Sequence, residues 1–354
     1  VKCIHCGVDS TRKERVDGRC KGCSRPFAFD PQNGDPFTDQ GFVTAVNRIS
    51  MDGTVKFLPV HVQRQLERSA ARSRLRGLRV GMVMTAVASA LVLGVAVFVG
   101  WLVLPVVVAP MSLFAVFAAK SRSREVTPIP PDRFEALWSR WVGVHGLPTG
   151  AVVLDDRSRN RPAPPPALTE EVLDYSFDRA VICDRDDLAE LLLRNDFHFE
   201  NNCAVLSVGG HPRHAFPTVL KMLRNNPRIE VFALHDCTPE GCRLARVLRE
   251  DPAWFAGVGT VYDVGLRPGQ AGPWQDHAVP TSRAVPPDPA WTEDERAWLS
   301  RWTLTLDVVP PEQLVKRLFR SMNRLPELPD GGTGDAGGFT VVGTTSDGGG
   351  DAFG

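Results

Sequence analysis

Two groups of residues in this chain could do chemistry. The first is a set of four cysteines in "CIHCGVDSTRKERVDGRCKGC". Cys3-x2-Cys6 and Cys20-x2-Cys23 are separated by thirteen residues, a spacing at which two knuckles close a tetrahedral thiolate site around zinc. Gly7 and Gly22 follow or sit inside the knuckles, where backbone N–H groups must turn toward sulfur. Four thiolates leave no open coordination position, so a zinc ion held there is structural and not catalytic. The second group centres on "FALHDCTPEGCRLARVLRE", Phe232 to Glu250, which runs from an apolar strand through an acidic turn into a basic amphipathic helix. His235, Asp236, Thr238 and Glu240 lie in that turn. Asp184, Asp186 and Asp187 follow "RAVIC", and Gly209, Gly210, His211 and His214 follow "CAVLSV". Carboxylates in such a cluster suit a hard cation such as Mg²⁺. His211-x-x-His214 with His235 could hold a transition metal through imidazole, or be loop histidines with ordinary hydrogen bonds. Gly209-Gly210 before a helix could cradle a phosphate, or be only a turn.

These residues need elements to bring them together. From Arg179 to Leu266 short apolar strands alternate with helices of ten or so residues, the pattern of right-handed βαβ units and a parallel sheet. The uninterrupted apolar run Ala204–Val208 fits a sheet covered on both faces. In such sheets the ligand crevice lies beyond the carboxyl ends of the strands, which is where the polar residues fall. Cys183, Cys203, Cys237 and Cys242 read as small buried thiols. "TEDERAWLSRW" opens with a capping box, Thr292 and Glu295, and "PPEQLVKRLFRSMNRL" with proline in its first turn, so two further helices close the domain.

The cysteine module resembles a zinc ribbon over residues 1–30. The α/β segment resembles a Toprim (topoisomerase–primase) domain, in the form found in the A subunit of type IIB topoisomerases, on an acidic residue ending the first strand and Asp-x-x-Pro-x-Gly ending the third. The resemblance implies a general acid/base or metal ligand at Asp184, where the family has Glu, and an Mg²⁺-holding pair beginning at Asp236. Its second member is replaced by Thr238, which removes a unit of negative charge from a hard-cation site. Glu240 is left as a substitute ligand through a longer arm. The nucleophilic tyrosine of a topoisomerase has no marked counterpart, since the chain holds only Tyr175 and Tyr262.

Around these modules the 354 residues carry 41 basic against 41 acidic side chains, which points to no global field. Residues 1–79 are locally basic, with fifteen Lys or Arg against eight Asp or Glu, and could face phosphates or anionic lipid. Residues 31–79 read as a short β-hairpin turning at Asp52-Gly53, then a helix and a basic segment. Val80–Ala119 holds no charged residue over forty positions, enough for a two-helix transmembrane hairpin. Basic flanks on both sides place both termini in the cytoplasm and the hairpin in the inner or plasma membrane, as an anchor. No cleavable signal peptide is expected. Residues 120–170 read as Pro-rich linkers around one amphipathic helix, 171–329 as the α/β domain, and 330–354, with ten glycines in 25 residues, as a Gly-rich tail. "FTVVG" within that tail could be a recognition strand.

The expected fold is therefore multidomain: a zinc-ribbon/β unit, a transmembrane α-hairpin and an α/β domain with a mainly parallel sheet. The expected function is a membrane-anchored binding or regulatory protein that engages a nucleic-acid or protein partner. The alternatives are a metal-dependent phosphodiester-cleaving enzyme using Asp184, Asp236 and Glu240, or a sensor of a small phosphorylated ligand held by Gly209, Gly210, His211, His235 and Thr238.

Overall fold

A computed structural model of the chain describes residues 1–15, 18–31, 34–72, 128–154, 177–289 and 291–323. The chain divides into two units, Val1–Ala151 and Val152–Gly354.

In the first unit each cysteine knuckle is a tight turn. Gly7 donates to the Cys3 carbonyl at 3.0 Å and Ser24 to the Cys20 carbonyl at 2.8 Å. Both Gly7 and Ser24 take left-handed backbone angles, with φ of 73° and 57°. After the ribbon, helical period governs, not strand alternation. Phe42, Ala45, Val46 and Ile49 recur at three- and four-residue spacing and are all buried in helix α1, Asp39–Ser50. Thr38 caps that helix by accepting the Gly41 amide at 3.1 Å. The expected β-hairpin is thus a helix. Asp52-Gly53 does turn the chain, but into a second helix, α2, over residues 59–72. The apolar-alternating flanks of Asp52-Gly53 suggested strand, and the cap with its buried stripe outweighs them.

Helix α3, Pro131–His145, belongs to the same unit and is not an element within a linker. Its Phe134, Leu137 and Trp141 complete one core with Phe29, Phe42 and Phe57. Trp141 stacks on Phe42 at 4.3 Å between ring centroids and on Phe29 at 5.7 Å. The chain re-enters this unit beside α2: the Ile129 amide donates to the buried Glu67 carboxylate at 2.8 Å, and Gln63 donates to the Ile129 carbonyl at 2.7 Å.

The membrane expectation is corrected. Among the described residues no helix is long and apolar enough to cross a membrane. The described helices are amphipathic; α2, for example, carries Arg64, Glu67, Arg68 and Arg72. Among the described residues the transmembrane hairpin is not found, and the membrane as partner and the inner or plasma membrane as location have no support there. The apolar block 80–119 that prompted them lies outside the described residues, as does the 330–354 tail.

The second unit is built on four parallel strands, β1 (Arg179–Cys183), β2 (Cys203–Ser207), β3 (Glu230–Leu234) and β4 (Thr260–Asp263), in the order β2-β1-β3-β4. The register aligns Val181 with Val205 and Phe232, and Phe232 with Tyr262. Helix α4 (Asp186–Arg194) and the short helix α5 (Phe197–Glu200) join β1 to β2. Helix α6 (Phe216–Asn225) joins β2 to β3, and α7 (Leu244–Glu250) joins β3 to β4. The chain moves outward from β1 to β2, then returns across β1 to β3 and continues to β4. Right-handed crossovers then put α4 on one face and α6 with α7 on the other. Leu223 of α6 and Leu244 and Leu248 of α7 accordingly share one core with Ala180, Ile182, Ala204, Val231 and Ala233. The direction of winding reverses between β1 and β3, so a crevice opens at their carboxyl ends. Beyond the sheet come strand β5 (Val279–Pro280), helix α8 (Glu293–Arg301), strand β6 (Trp302–Thr303) and helix α9 (Pro311–Asn323). The capping box of α8 is formed as expected.

Candidate functional site

The four cysteines of the first unit converge, with their sulfur atoms all within 4.8 Å of one another. Cys3 Sγ lies 3.7 Å from Cys23 Sγ, and Cys6 Sγ 3.5 Å from Cys20 Sγ. Sulfurs at about 2.3 Å from a tetrahedral zinc are roughly 3.8 Å apart, so the quartet is compatible with a zinc site. The Cys23 and Gly22 amides aimed at Cys20 favour its thiolate and bring that thiol down to about 6. Gly22 sits in a tight place: a β-carbon there would meet the Val8 side chain at 3.0 Å and Cys6 Sγ at 3.4 Å. Behind the ribbon, buried Asp39 accepts the Ala28 and Phe29 amides at 3.0 and 2.7 Å and pairs with His145 at 2.9 Å. One carboxylate thus ties the ribbon to α1 and α3.

In the second unit, the crevice between β1 and β3 gathers carboxylates. The Asp236 amide donates to Asp184 Oδ2 at 2.7 Å, which joins the two strand ends directly. At the centre stands Arg185. Its guanidinium grips Asp307 through two bonds of 2.7 and 2.9 Å, and its Nε faces Asp187 at 3.3 Å and Asp236 at 3.5 Å. Asp307 arrives from far along the chain, on the segment following β6. Cys237 and Leu304 exchange backbone hydrogen bonds of 2.8 and 3.1 Å, and the Leu306 amide donates to Asp236 Oδ1 at 2.7 Å. This segment closes over the carboxyl ends of the strands.

One guanidinium cannot neutralise all these carboxylates. Burial pushes Asp184 and Asp187 up from the usual carboxylate range, and Asp236 up to about 7 despite Arg185. Burial alone would lower Arg185, but the Asp307 carboxylate outweighs it and holds the guanidinium firmly charged. Asp184 Oδ1 is buried without a hydrogen-bond partner. Even so, the cysteine quartet is the only group of His, Cys, Asp or Glu among the described residues whose ligand atoms converge closely enough to hold a metal. Arg185 occupies the space between the carboxylates, and the residues present do not fit Mg²⁺.

The other expected site residues disperse. Glu240 points outward, with 71% of its side chain exposed and Arg283 at 3.4 Å. Thr238 Oγ1 accepts the Gly241 amide at 2.9 Å and serves the turn. His235 is fully buried, its Nδ1 donating to the Asp236 carbonyl at 2.8 Å and its Nε2 to Asp263 at 2.9 Å. Burial disfavours the imidazolium, but Asp263 outweighs it and raises the ring to about 9. Asp263 is itself held low by His235 and Arg267, against its burial. With both nitrogens engaged, His235 is no metal ligand. His211 pairs with Glu190 at 2.8 Å, and this bond with Arg194 lowers Glu190 to about 2. Asp186 packs against the Gly209-Gly210 turn: a β-carbon on Gly209 would lie 2.3 Å from its Oδ1, to which Ser207 Oγ donates. Cys183, Cys203, Cys237 and Cys242 are buried free thiols, as expected.

Sequence reading passed over Arg185 and Asp307. Arg185 sat between two acidic candidates and could have been found as a built-in counter-ion. Asp307, in "TLTLDVVPP", carries no local signal. Comparison of the chain with protein-family models, with curated proteins and with solved structures finds no match.

Proposed function

We propose that this chain is a binding and regulatory protein in which a zinc ribbon and a non-catalytic, Toprim-like α/β domain engage a nucleic-acid or protein partner. The observation that carries this reading is Arg185. A phosphodiester-cleaving site needs carboxylates free to hold a cation that stabilises charge on phosphorus. Here the guanidinium takes the cation's place, Thr238 lacks a carboxylate, and Glu240 faces solvent. The likeness to Toprim is carried by the Asp184 and Asp236 strand ends and by four parallel strands with a switch point between β1 and β3. In the ribbon, Cys3, Cys6, Cys20 and Cys23 would hold one zinc and fix the two knuckles, whose exposed Lys2, Lys13, Arg19 and Arg25 present positive charge to a partner.

Calorimetric titration of the intact chain with Mg²⁺ and Mn²⁺ tests the non-catalytic reading, with no binding expected at millimolar metal. Saturable binding that disappears in Asp236→Ala would sink it and restore the enzyme. Zinc analysis of the purified chain should return one ion per chain and almost none in Cys20→Ser. Binding to labelled oligonucleotides between 50 and 200 mM salt separates the partners: affinity falling steeply with salt identifies nucleic acid, and no binding points to protein.

A further inference from the structure

β2 is the terminal strand of the sheet, paired on one side with β1. Its backbone groups alternate in direction, as in any strand. The Val208 amide donates inward, to the Cys183 carbonyl at 2.9 Å, and the Ser207 amide donates outward, to the His211 carbonyl at 2.9 Å. Two residues before Ser207, the Val205 amide and carbonyl therefore face outward as well. Among the described residues neither has a hydrogen-bond partner on that side, although Val205 is only 4% exposed. The bond from Ser207 to His211 closes the end of this edge to a further strand, so what stays open is short.

Val205 lines an apolar cavity of about 340 Å³ that follows the open part of the edge. Leu193 and Phe199 flank it on one side, Ala215 and Val219 on the other. A buried N–H and C=O without partners carry a standing cost, which a ligand with a matching acceptor and donor removes. In an extended residue the two groups point the same way and lie close together, so the ligand's acceptor and donor sit on adjacent positions. His198 Nδ1, in the same lining, is also buried without a partner. None of the described residues lining the cavity is Asp, Glu, Lys or Arg, so a charged group there would lose water and gain no counter-ion. The volume lies at the lower end of small-molecule sites and suits one or two fused rings. Phe199, 83% exposed, offers a free aromatic face on which a flat ring can stack.

We propose that this cavity binds a neutral, amine-bearing heteroaromatic ring of the aminopyrimidine class, held at its edge by the Val205 amide and carbonyl and stacked on Phe199. The site shares no residue with the acidic crevice and does not rest on the function proposed above. The test is a ligand-observed NMR titration of the full chain with two probes. 9-Methyladenine places a ring nitrogen beside an amine, and 9-methylpurine lacks the amine and has no donor. 9-Methyladenine should saturate one site with Kd on the order of 0.1–1 mM, and 9-methylpurine should bind at least about tenfold more weakly. Phe199→Ala removes a ring that is already exposed, and should weaken 9-methyladenine about tenfold with the circular dichroism of the chain unchanged. At ligand concentrations about ten times Kd, hydrogen exchange of the Val205 amide should slow about tenfold. No saturation at millimolar 9-methyladenine, equal binding of the two probes, or affinity indifferent to Phe199→Ala each overturns the proposal. So does Val205 exchange that the ligand leaves unchanged.

Discussion

Replacing Arg185 with methionine keeps the aliphatic stem and removes the charge that Asp187, Asp236 and Asp307 share. At contact distances of 2.7 to 3.5 Å and an effective dielectric near 20, each pair is worth roughly 5–6 kcal/mol before desolvation. Desolvation offsets most of that. Breaking a buried pair from one side costs about 3–5 kcal/mol, because the carboxylate stays behind uncompensated. Arg185 keeps 28% of its side chain in solvent, so the lower figure applies, about 3 kcal/mol or a little over a hundredfold in the folded-to-unfolded ratio. The deficit should depend on pH in a definite direction. The neighbouring carboxylates already lie above their usual range and rise further without the guanidinium. A raised carboxylate makes the folded state bind more protons than the unfolded chain, so stability falls as pH rises between the unfolded value near 4 and the folded value. Arg185→Met should therefore be nearly as stable as wild type near pH 4.5 and reach its full deficit above about pH 8. Native-state hydrogen exchange of the β1 and β3 amides reads this in the relevant unit. Adding Asp307→Leu should recover at least half of the loss. A deficit below about 1 kcal/mol at pH 8, or one that grows on acidification, would refute the account of Arg185 as the internal counter-ion.

His235 is raised from 6.5 to about 9 by Asp263, so its contribution is complete below 6.5 and is lost as pH rises through 9. Wild type should lose roughly 3 kcal/mol between pH 6.5 and 10 in urea titrations, and His235→Gln should lack that slope. Asp39→Ala leaves the Ala28 and Phe29 amides buried without an acceptor, and should cost about 3 kcal/mol in the first unit. Tryptophan fluorescence of Trp138 and Trp141 would report it. Gly241→Ala puts a β-carbon 2.4 Å from the Asp236 carbonyl oxygen, a backbone atom that cannot swing aside. It should lower the urea midpoint by an amount equivalent to about 1–3 kcal/mol, and an unchanged midpoint would show that the turn can relax.

The alternation of apolar strands and amphipathic helices from Arg179 to Leu266 placed all four parallel strands in advance. The caps of α8 and the spacing of the cysteine quartet were equally legible. In residues 41–50 the apolar alternation leading to Asp52-Gly53 mimics a strand, while the three-and-four spacing of Phe42, Ala45, Val46 and Ile49 carries the true signal. For the second unit, the sequence also placed Asp184, Asp236 and their polar neighbours at the strand ends, which needs no more than the order of elements. Whether those residues are free was decided elsewhere. Arg185 meets Asp307 across 122 positions of chain, and α3 joins a ribbon more than a hundred residues before it. Asp186 turns into the Gly209 loop, and Glu240 turns away from the site. Periodicity and capping act within a few residues and leave their mark on local sequence. The neutralisation of a buried carboxylate depends on whichever charge the fold brings within about 3 Å, and that is set by packing between distant segments.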